Sequence, residues 1–236
     1  MTVVNDEYYV SEIFRSIQGE GNYAGVNSLF IRFQFCPLTC NWCDSKYTWY
    51  EKSGHFRQYE REALLQIIHQ SPCHHIIFTG GEPTLYRLDL LYLPGKQFHV
   101  ETNGNIVPTS SLDIRLADGT HIVREAMDEK IIERYNWVIS PKLKNAYQEI
   151  DRDALCFWSS RPYAIFKFVI RSADDLEEIA FWQSECKLNS NKIYVGLEGI
   201  SLHSQLQPDL VDKIIESGYH FSPRLHILLW GNKRGK

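Results

Sequence analysis

The chain has 236 residues, 44% hydrophobic and 23% charged, with a formal net charge of −4, the proportions of an ordinary globular protein. This balance excludes a nucleic-acid surface built on clustered basic residues, because the only such cluster is Lys233, Arg234 and Lys236 near the C-terminus, which reads as a solvated tail. Met1 to Tyr9 carries Asp6 and Glu7 and no apolar run, and no stretch approaches the ~20 apolar residues of a membrane span. A cytoplasmic protein is therefore expected, whose six cysteines are ligands or buried thiols and not disulfides.

The first predicted strand, Tyr9–Phe14, leads into the glycine-flanked polar loop Ile17-Gln18-Gly19-Glu20-Gly21. The second, Ser28–Phe35, puts Leu29, Ile31, Phe33 and Phe35 on one face and Phe30, Arg32 and Gln34 on the other. A guanidinium among these aromatics needs a partner, since an unpaired buried charge is costly; Glu20 and an anionic substrate are the two readings. Directly after this strand comes Cys36-Pro-Leu-Thr-Cys40-Asn-Trp-Cys43. Three thiolates at this spacing can ligate three irons of a cubane, and the local fourth cysteine of a ferredoxin-type run is missing. That leaves one coordination position open, as at catalytic metal sites generally. A structural zinc site is the competing reading, but it lacks a well-spaced fourth ligand, the nearest histidine being the isolated His55. Cys73, Cys156 and Cys186 are scattered and read as packing residues.

Further along, the helix Arg61–His69 precedes the strand His75–Phe78, which runs into Thr79-Gly80-Gly81-Glu82-Pro83. The strand Phe98–Glu101 runs into Thr102-Asn103-Gly104, and Trp137–Ile139 runs into Ser140-Pro141-Lys142. The two glycines, lacking side chains, let backbone approach a ligand closely, and the Glu82 carboxylate can accept from an ammonium group. A helix is predicted over Ala126–Arg134, and a strand over Ala164–Ile170. Another helix spans Ala173–Cys186, opened by Ser172 with acids in its first turn. The strand Lys192–Val195 continues into Gly196-Leu197-Glu198-Gly199, and a helix over Asp209–Ser217 precedes a last strand at His226–Trp230. Strands alternating with helices predict an α/β domain over residues 1–236 with a mainly parallel sheet. In α/β barrels the polar segments after the strands are the loops that build the site.

The cysteine run, with the Gly80–Pro83 loop after it, resembles the signature of the radical S-adenosylmethionine (SAM) superfamily. There the unique iron chelates the amino and carboxylate groups of SAM, and an electron from the cluster breaks a C–S bond to give a 5′-deoxyadenosyl radical; the cofactor carries the hard chemistry. The Ile17–Gly21 loop, Arg32, Cys43-Asp44-Ser45 with Thr48-Trp49, the Glu101–Gly104 and Ser140–Lys142 loops and the tail Pro223–Gly235 together resemble the 7-carboxy-7-deazaguanine synthase family, in order from Glu12 to Gly235.

This resemblance implies a lyase that converts 6-carboxy-5,6,7,8-tetrahydropterin to 7-carboxy-7-deazaguanine with loss of ammonia, on the route to queuosine and related 7-deazapurines. It implies an abbreviated, partly open βα barrel of the radical SAM type, usually homodimeric, dependent on magnesium (Mg2+) and reduced by a flavodoxin. It assigns Cys36, Cys40 and Cys43 to a 4Fe–4S cluster. Trp42, Asp44, Gly81, Glu82, Ser140, Pro141, Lys142, Gly196 and Glu198 would bind SAM. Ile17, Gln18, Gly19, Glu20, Arg32, Thr79 and His226 would bind the pterin, and Ser45 the magnesium. Ser45 stands where many members have threonine, and either supplies a hydroxyl. One alternative is an activating enzyme that makes a glycyl radical on a partner protein, which would lack the Ile17–Gly21 loop. Another is a non-catalytic iron–sulfur or zinc protein with a regulatory or RNA-binding role, disfavoured by the acidity and by Glu82, Lys142 and Arg32.

Overall fold

The computed structural model describes residues 1–236. It begins with β1 (Thr2–Val3) and the long β2 (Glu7–Ile17), which folds back antiparallel on β3 (Asn27–Phe33), while β4 (Arg57–Glu60) pairs antiparallel with β2. There follow α1 (Arg61–Gln70), β5 (His75–Gly80), β6 (Gln97–Thr102), the short β7 (Leu112–Arg115) and β8 (His121–Arg124), α2 (Glu129–Ile132) and β9 (Asn136–Ile139). The last third alternates: α3 (Arg152–Ser159), β10 (Ala164–Ile170), α4 (Asp175–Cys186), β11 (Ile193–Leu197), α5 (Leu202–Gln205), α6 (Pro208–Glu216), β12 (His220–Phe221) and α7 (Leu225–Trp230).

The main sheet has nine strands in the order β12-β11-β10-β9-β6-β5-β3-β2-β4, and every pair from β3 to β12 is parallel. Each new parallel strand is added on the same side of the last, which is the winding of a βα barrel. The edges β4 and β12 do not pair, so the barrel is open, as the resemblance implies. A separate sheet joins β1, β8 and β7.

Strand periodicity divides the sheet into two faces. On β10, Ala164, Phe166, Phe168 and Ile170 are buried while Ile165, Lys167 and Val169 are only partly so. The buried face joins the helices in one cluster of 44 residues; each large apolar side chain so buried contributes about 2 kcal/mol. The concave face keeps Arg32, Thr79, Glu101 and Lys167 for the site.

Four expectations need correction. The helix predicted over Ala126–Arg134 shrinks to α2, because Met127 N bonds Pro108 O at 2.9 Å and Asp128 N bonds Asp89 at 2.9 Å, holding the approach extended. α4 starts at Asp175, whose carboxylate accepts from the amides of Arg171 and Ser172, and so Ser172 lies before the helix instead of opening it. His226–Trp230 is not a strand but lies in α7; a short unbroken apolar run does not distinguish the two. Finally, Cys73 is buried as a packing residue, but Cys156 on α3 and Cys186 on α4 form a disulfide, their Cα atoms 4.7 Å apart. No helix is long and apolar enough to cross a membrane.

Candidate active site

The C-terminal ends of the parallel strands surround a cavity of about 450 Å³. Phe35 leaves β3 in the left-handed region, φ 70°, and throws the cysteine loop across this end. Backbone bonds pin the loop: Cys36 N to Trp49 O at 3.1 Å, Asn41 N to Ala146 O at 3.3 Å and Cys43 N to Cys40 O at 3.1 Å. All three thiols are unpaired and line the cavity. Burial, with Glu82 second, pushes the Cys36 thiol well up; burial also raises Cys40 and Cys43. They become thiolates only when a metal replaces their protons. No three His, Cys, Asp or Glu side chains gather round a single point, as zinc with bonds of about 2.3 Å would need. Separately ligated irons of a cubane fit thiols spread in this way.

The Gly80–Pro83 loop is fastened to the cysteine loop. Gly81 N donates to Phe33 O at 3.0 Å and Glu82 N to Phe35 O at 2.7 Å, extending the β3–β5 ladder. A Cβ on Gly81 would lie 2.0 Å from Phe35 O, and one on Gly80, at φ +119, would lie 2.4 Å from Phe33 O. These glycines thus permit a close approach to protein backbone, and both also line the cavity, where backbone is open to a ligand. Glu82 is fully buried. Its Oε1 accepts from Thr84 N (3.0 Å), Thr84 Oγ1 (2.6 Å) and Thr102 Oγ1 (2.6 Å), and its Oε2 from Asn103 N (2.8 Å). The carboxylate thus ties β5 to β6. Beside it, Asn103 Nδ2 is buried without a partner on the cavity wall, a donor whose neglect costs about 1–3 kcal/mol and which a ligand oxygen would satisfy.

Across the cavity runs a chain of alternating charges. Gln18 Nε2 donates to Glu101 Oε1 at 2.8 Å; Lys167 Nζ reaches Glu101 Oε2 at 3.1 Å and Glu20 Oε2 at 2.5 Å. Arg224 Nε bonds Glu20 Oε1 at 2.9 Å, and its Nη2 bonds Asp44 Oδ2 at 2.5 Å. Burial alone would raise the Glu20 carboxyl, but Lys167 and Arg224 hold it well below the usual carboxylate range. Burial would likewise raise Asp44, and Arg224 with the Ser45 hydroxyl lowers it. His226, packed where a Cβ on Gly19 would sit 2.1 Å from its Nδ1, is lowered by burial against the pull of Glu20. Glu20 is accordingly not the partner of Arg32. That partner is Glu12, whose Oε2 accepts from Arg32 Nε at 2.9 Å.

Of the residues singled out from sequence, the cavity brings together the three cysteines, Ile17, Gln18, Gly19, Glu20, Arg32, Trp42, Asp44, Ser45, Thr79, Gly81, Ser140, Lys142, Glu198 and His226; it leaves Glu82, Pro141 and Gly196 behind the wall. The backbone of Gln18 is spent on Val26 O and Gly25 N, and Gly19 O accepts from Leu225 N, so Gln18 presents its side chain. Lys233, Arg234 and Lys236 are exposed, as a solvated tail would be, but they also border the cavity. Lys167, Glu101, Asn103 and Arg224 were missed. Lys167 and Glu101 carry the signal that exposed Arg32, a charge in or ending an apolar strand.

The radical SAM superfamily matches residues 30–141, from β3 to the segment after β9. With an open parallel βα sheet and a three-cysteine loop over its C-terminal end, the chain is a radical SAM enzyme. A 7-carboxy-7-deazaguanine synthase of Pyrobaculum aerophilum is 32% identical over 235 residues, covering 96% of each chain. Another, from Rhodopirellula baltica, is 30% identical over 96% of this chain and 88% of its own. The protein belongs to the 7-carboxy-7-deazaguanine synthase family. The crystal structure of QueE from Escherichia coli shares the fold, with a TM-score of 0.65 and 24% identity over 93% of this chain and 95% of that one.

Proposed function

We propose that the protein converts 6-carboxy-5,6,7,8-tetrahydropterin to 7-carboxy-7-deazaguanine, using a 4Fe–4S cluster on Cys36, Cys40 and Cys43, SAM and magnesium. The observation that carries this is the facing of the cysteine loop, in one cavity, by an acceptor-rich floor and a guanidinium. When bound, the cluster and SAM supply a carbon radical that abstracts hydrogen. Lys142 donates to Ser140 Oγ at 2.9 Å and has no carboxylate partner, so it suits the SAM carboxylate; its Nζ lies 5.7 Å from the Trp42 ring centre. Asn103 Nδ2 is a second donor for that cofactor, while Glu82 acts by holding Asn103. The Glu20 and Glu101 carboxylates and the Gln18 amide suit the amino edge of a pterin, with Thr79 and His226 beside them. The free end of the Arg32 fork suits the pterin carboxylate.

Ser45 Oγ donates to Asp44 Oδ1 at 2.8 Å, which places two oxygens together at the cavity wall. Magnesium keeps several waters and needs few protein ligands, so the Ser45 hydroxyl with substrate oxygens is a sufficient site. Ser45→Ala should then lose most of its magnesium stimulation while Ser45→Thr keeps it, both with normal iron content. An unaltered magnesium response in Ser45→Ala removes the assignment.

The single nine-stranded sheet and shared core support one domain over residues 1–236. Family membership supports a homodimer, a flavodoxin-type reductant and a cytoplasmic location. The α3–α4 disulfide does not bear on the cluster thiols, since neither of its cysteines lines the cavity. Anaerobic turnover of 6-carboxytetrahydropterin by the reconstituted enzyme tests the reading. Formation of the deazaguanine with SAM regenerated supports it. SAM consumed stoichiometrically with a radical left on a protein would assign the activating-enzyme class instead.

A further inference from the structure

We propose that Glu12 is a positioning residue that aims Arg32 into the cavity and ties the C-terminal tail to it; this rests on the substrate reading above, in which Arg32 receives a carboxylate. The first observation is a β-bulge. β2 pairs Val10 with Phe33 but Glu12 with Arg32, so Ser11 is an extra residue in the ladder. By strict alternation Glu12 would share the buried apolar face with Val10. The bulge turns it to the concave face, opposite Arg32, and bulges re-aim side chains in this way. Ser11 Oγ anchors the irregularity on Gln34 Oε1 at 2.5 Å.

The second observation is the company this carboxylate keeps. Oε2 accepts from Arg32 Nε and from Tyr47 Oη, both at 2.9 Å, and Oε1 accepts from Arg234 Nε. Held by Nε, Arg32 keeps its two terminal nitrogens toward the cavity, where Nη1 approaches Ser45 Oγ at 3.4 Å. Its guanidinium lies 5.7 Å from the centre of the Phe14 ring, which stacks on Phe30. Arg234 comes from the tail that lines the cavity and lies 3.9 Å over the Tyr47 ring.

Two guanidiniums thus share one carboxylate. Asp44, which also feels the charge of Arg32, is bonded to Arg224. Within this group one positive charge is left over, and a substrate carboxylate would neutralise it. Glu12 couples the two events: the same group that orients Arg32 latches the tail.

The test uses reconstituted, cluster-loaded enzyme carrying Glu12→Gln, Arg32→Ala or both, with pterin affinity, SAM affinity and iron content measured for each. Glu12→Gln should weaken pterin binding at least about tenfold, leave iron and SAM binding unchanged, and add nothing further in the Arg32→Ala background. Hydrogen exchange over residues 232–236 should quicken. Arg234→Ala, more exposed, should free the tail and weaken the pterin by ~2–5-fold; it carries the test if Glu12→Gln fails to fold. Arg32→Ala losing affinity while Glu12→Gln retains it overturns the proposal and leaves the substrate reading standing. Additive losses in the double variant also overturn it, since Glu12 would then act on the pterin by a route other than Arg32. If Arg32→Ala itself keeps full affinity, both readings fall.

Discussion

Lys167 sits between Glu20 and Glu101 and is almost withdrawn from solvent, with 11% of its side chain exposed. Burial opposes its charge, yet the two carboxylates raise its pKa. Removing it leaves two buried acids facing each other, and one of them must take up a proton. An acid that gains a proton ceases to be a pure acceptor, and Gln18 loses a fixed partner on Glu101. Lys167→Met should therefore raise the KM for the pterin at least about tenfold with iron content intact, whereas an unchanged KM at fixed SAM would show that Arg224 and Gln18 suffice to hold the acids. Lys167 lies in Ala164-Ile-Phe-Lys-Phe-Val-Ile170, the same pattern that drew attention to Arg32, so it was legible. Which acid Arg32 meets was not: the choice of Glu12 over Glu20 depends on a one-residue bulge, and Glu20 is captured by Arg224 from the far end of the chain.

The element whose geometry most constrains the cluster is the turn after β5. Its glycines touch the carbonyls of Phe33 and Phe35, immediately before Cys36. Gly81→Ala places a methyl 2.0 Å from Phe35 O, so the cysteine loop must move, and iron incorporation should fall together with the melting temperature. Gly119 offers the contrast: at φ +86 with open space around it, an alanine meets only backbone strain, about 1–2 kcal/mol, and iron loading should stay normal. Equal iron content in the two variants would separate the turn from the cluster. The strands β2, β3, β5, β6, β9, β10 and β11 were legible because apolar runs end at turn-forming residues, whereas the short β1, β4, β7, β8 and β12 carry no such run. α7 was not, since Leu225–Trp230 is apolar throughout and only the presence of β12 beside β11 shows that no further strand is added there. The α3–α4 disulfide escaped for a similar reason: helix packing, not spacing, brings Cys156 and Cys186 together.

At the scale of the molecule the open barrel has two ends with opposite chemistry. The C-terminal end is charged, whereas deeper along the concave face His75 and His99 share a hydrogen bond, Nδ1 to Nε2, at 2.9 Å. Tyr23 packs edge-on against His99 at 4.4 Å between ring centres and donates to Asn136 at 3.0 Å. One proton between two imidazoles describes a neutral pair. Burial first, and then the charge of His75, pushes His99 down to about 4; burial and His74 lower His75 as well. In the unfolded chain a histidine titrates near 6.5. Above that pH both states are neutral and the pair contributes its full stability. As the pH falls below it, the unfolded chain binds protons that the folded one refuses, so stability drops until the folded pair protonates near 4. Between pH 6.5 and 5, above the range where carboxylates dominate, His99 alone should remove about 2 kcal/mol. Urea unfolding of the cluster-loaded protein across that window, under anaerobic conditions, measures this directly. His99→Gln, which cannot titrate, should be less stable at pH 7.5 and should lose less from 6.5 to 5, what remains coming from His75 and His226. Parallel losses in the two proteins would mean that His99 is already charged when folded, and that the barrel floor is wetter than its geometry requires.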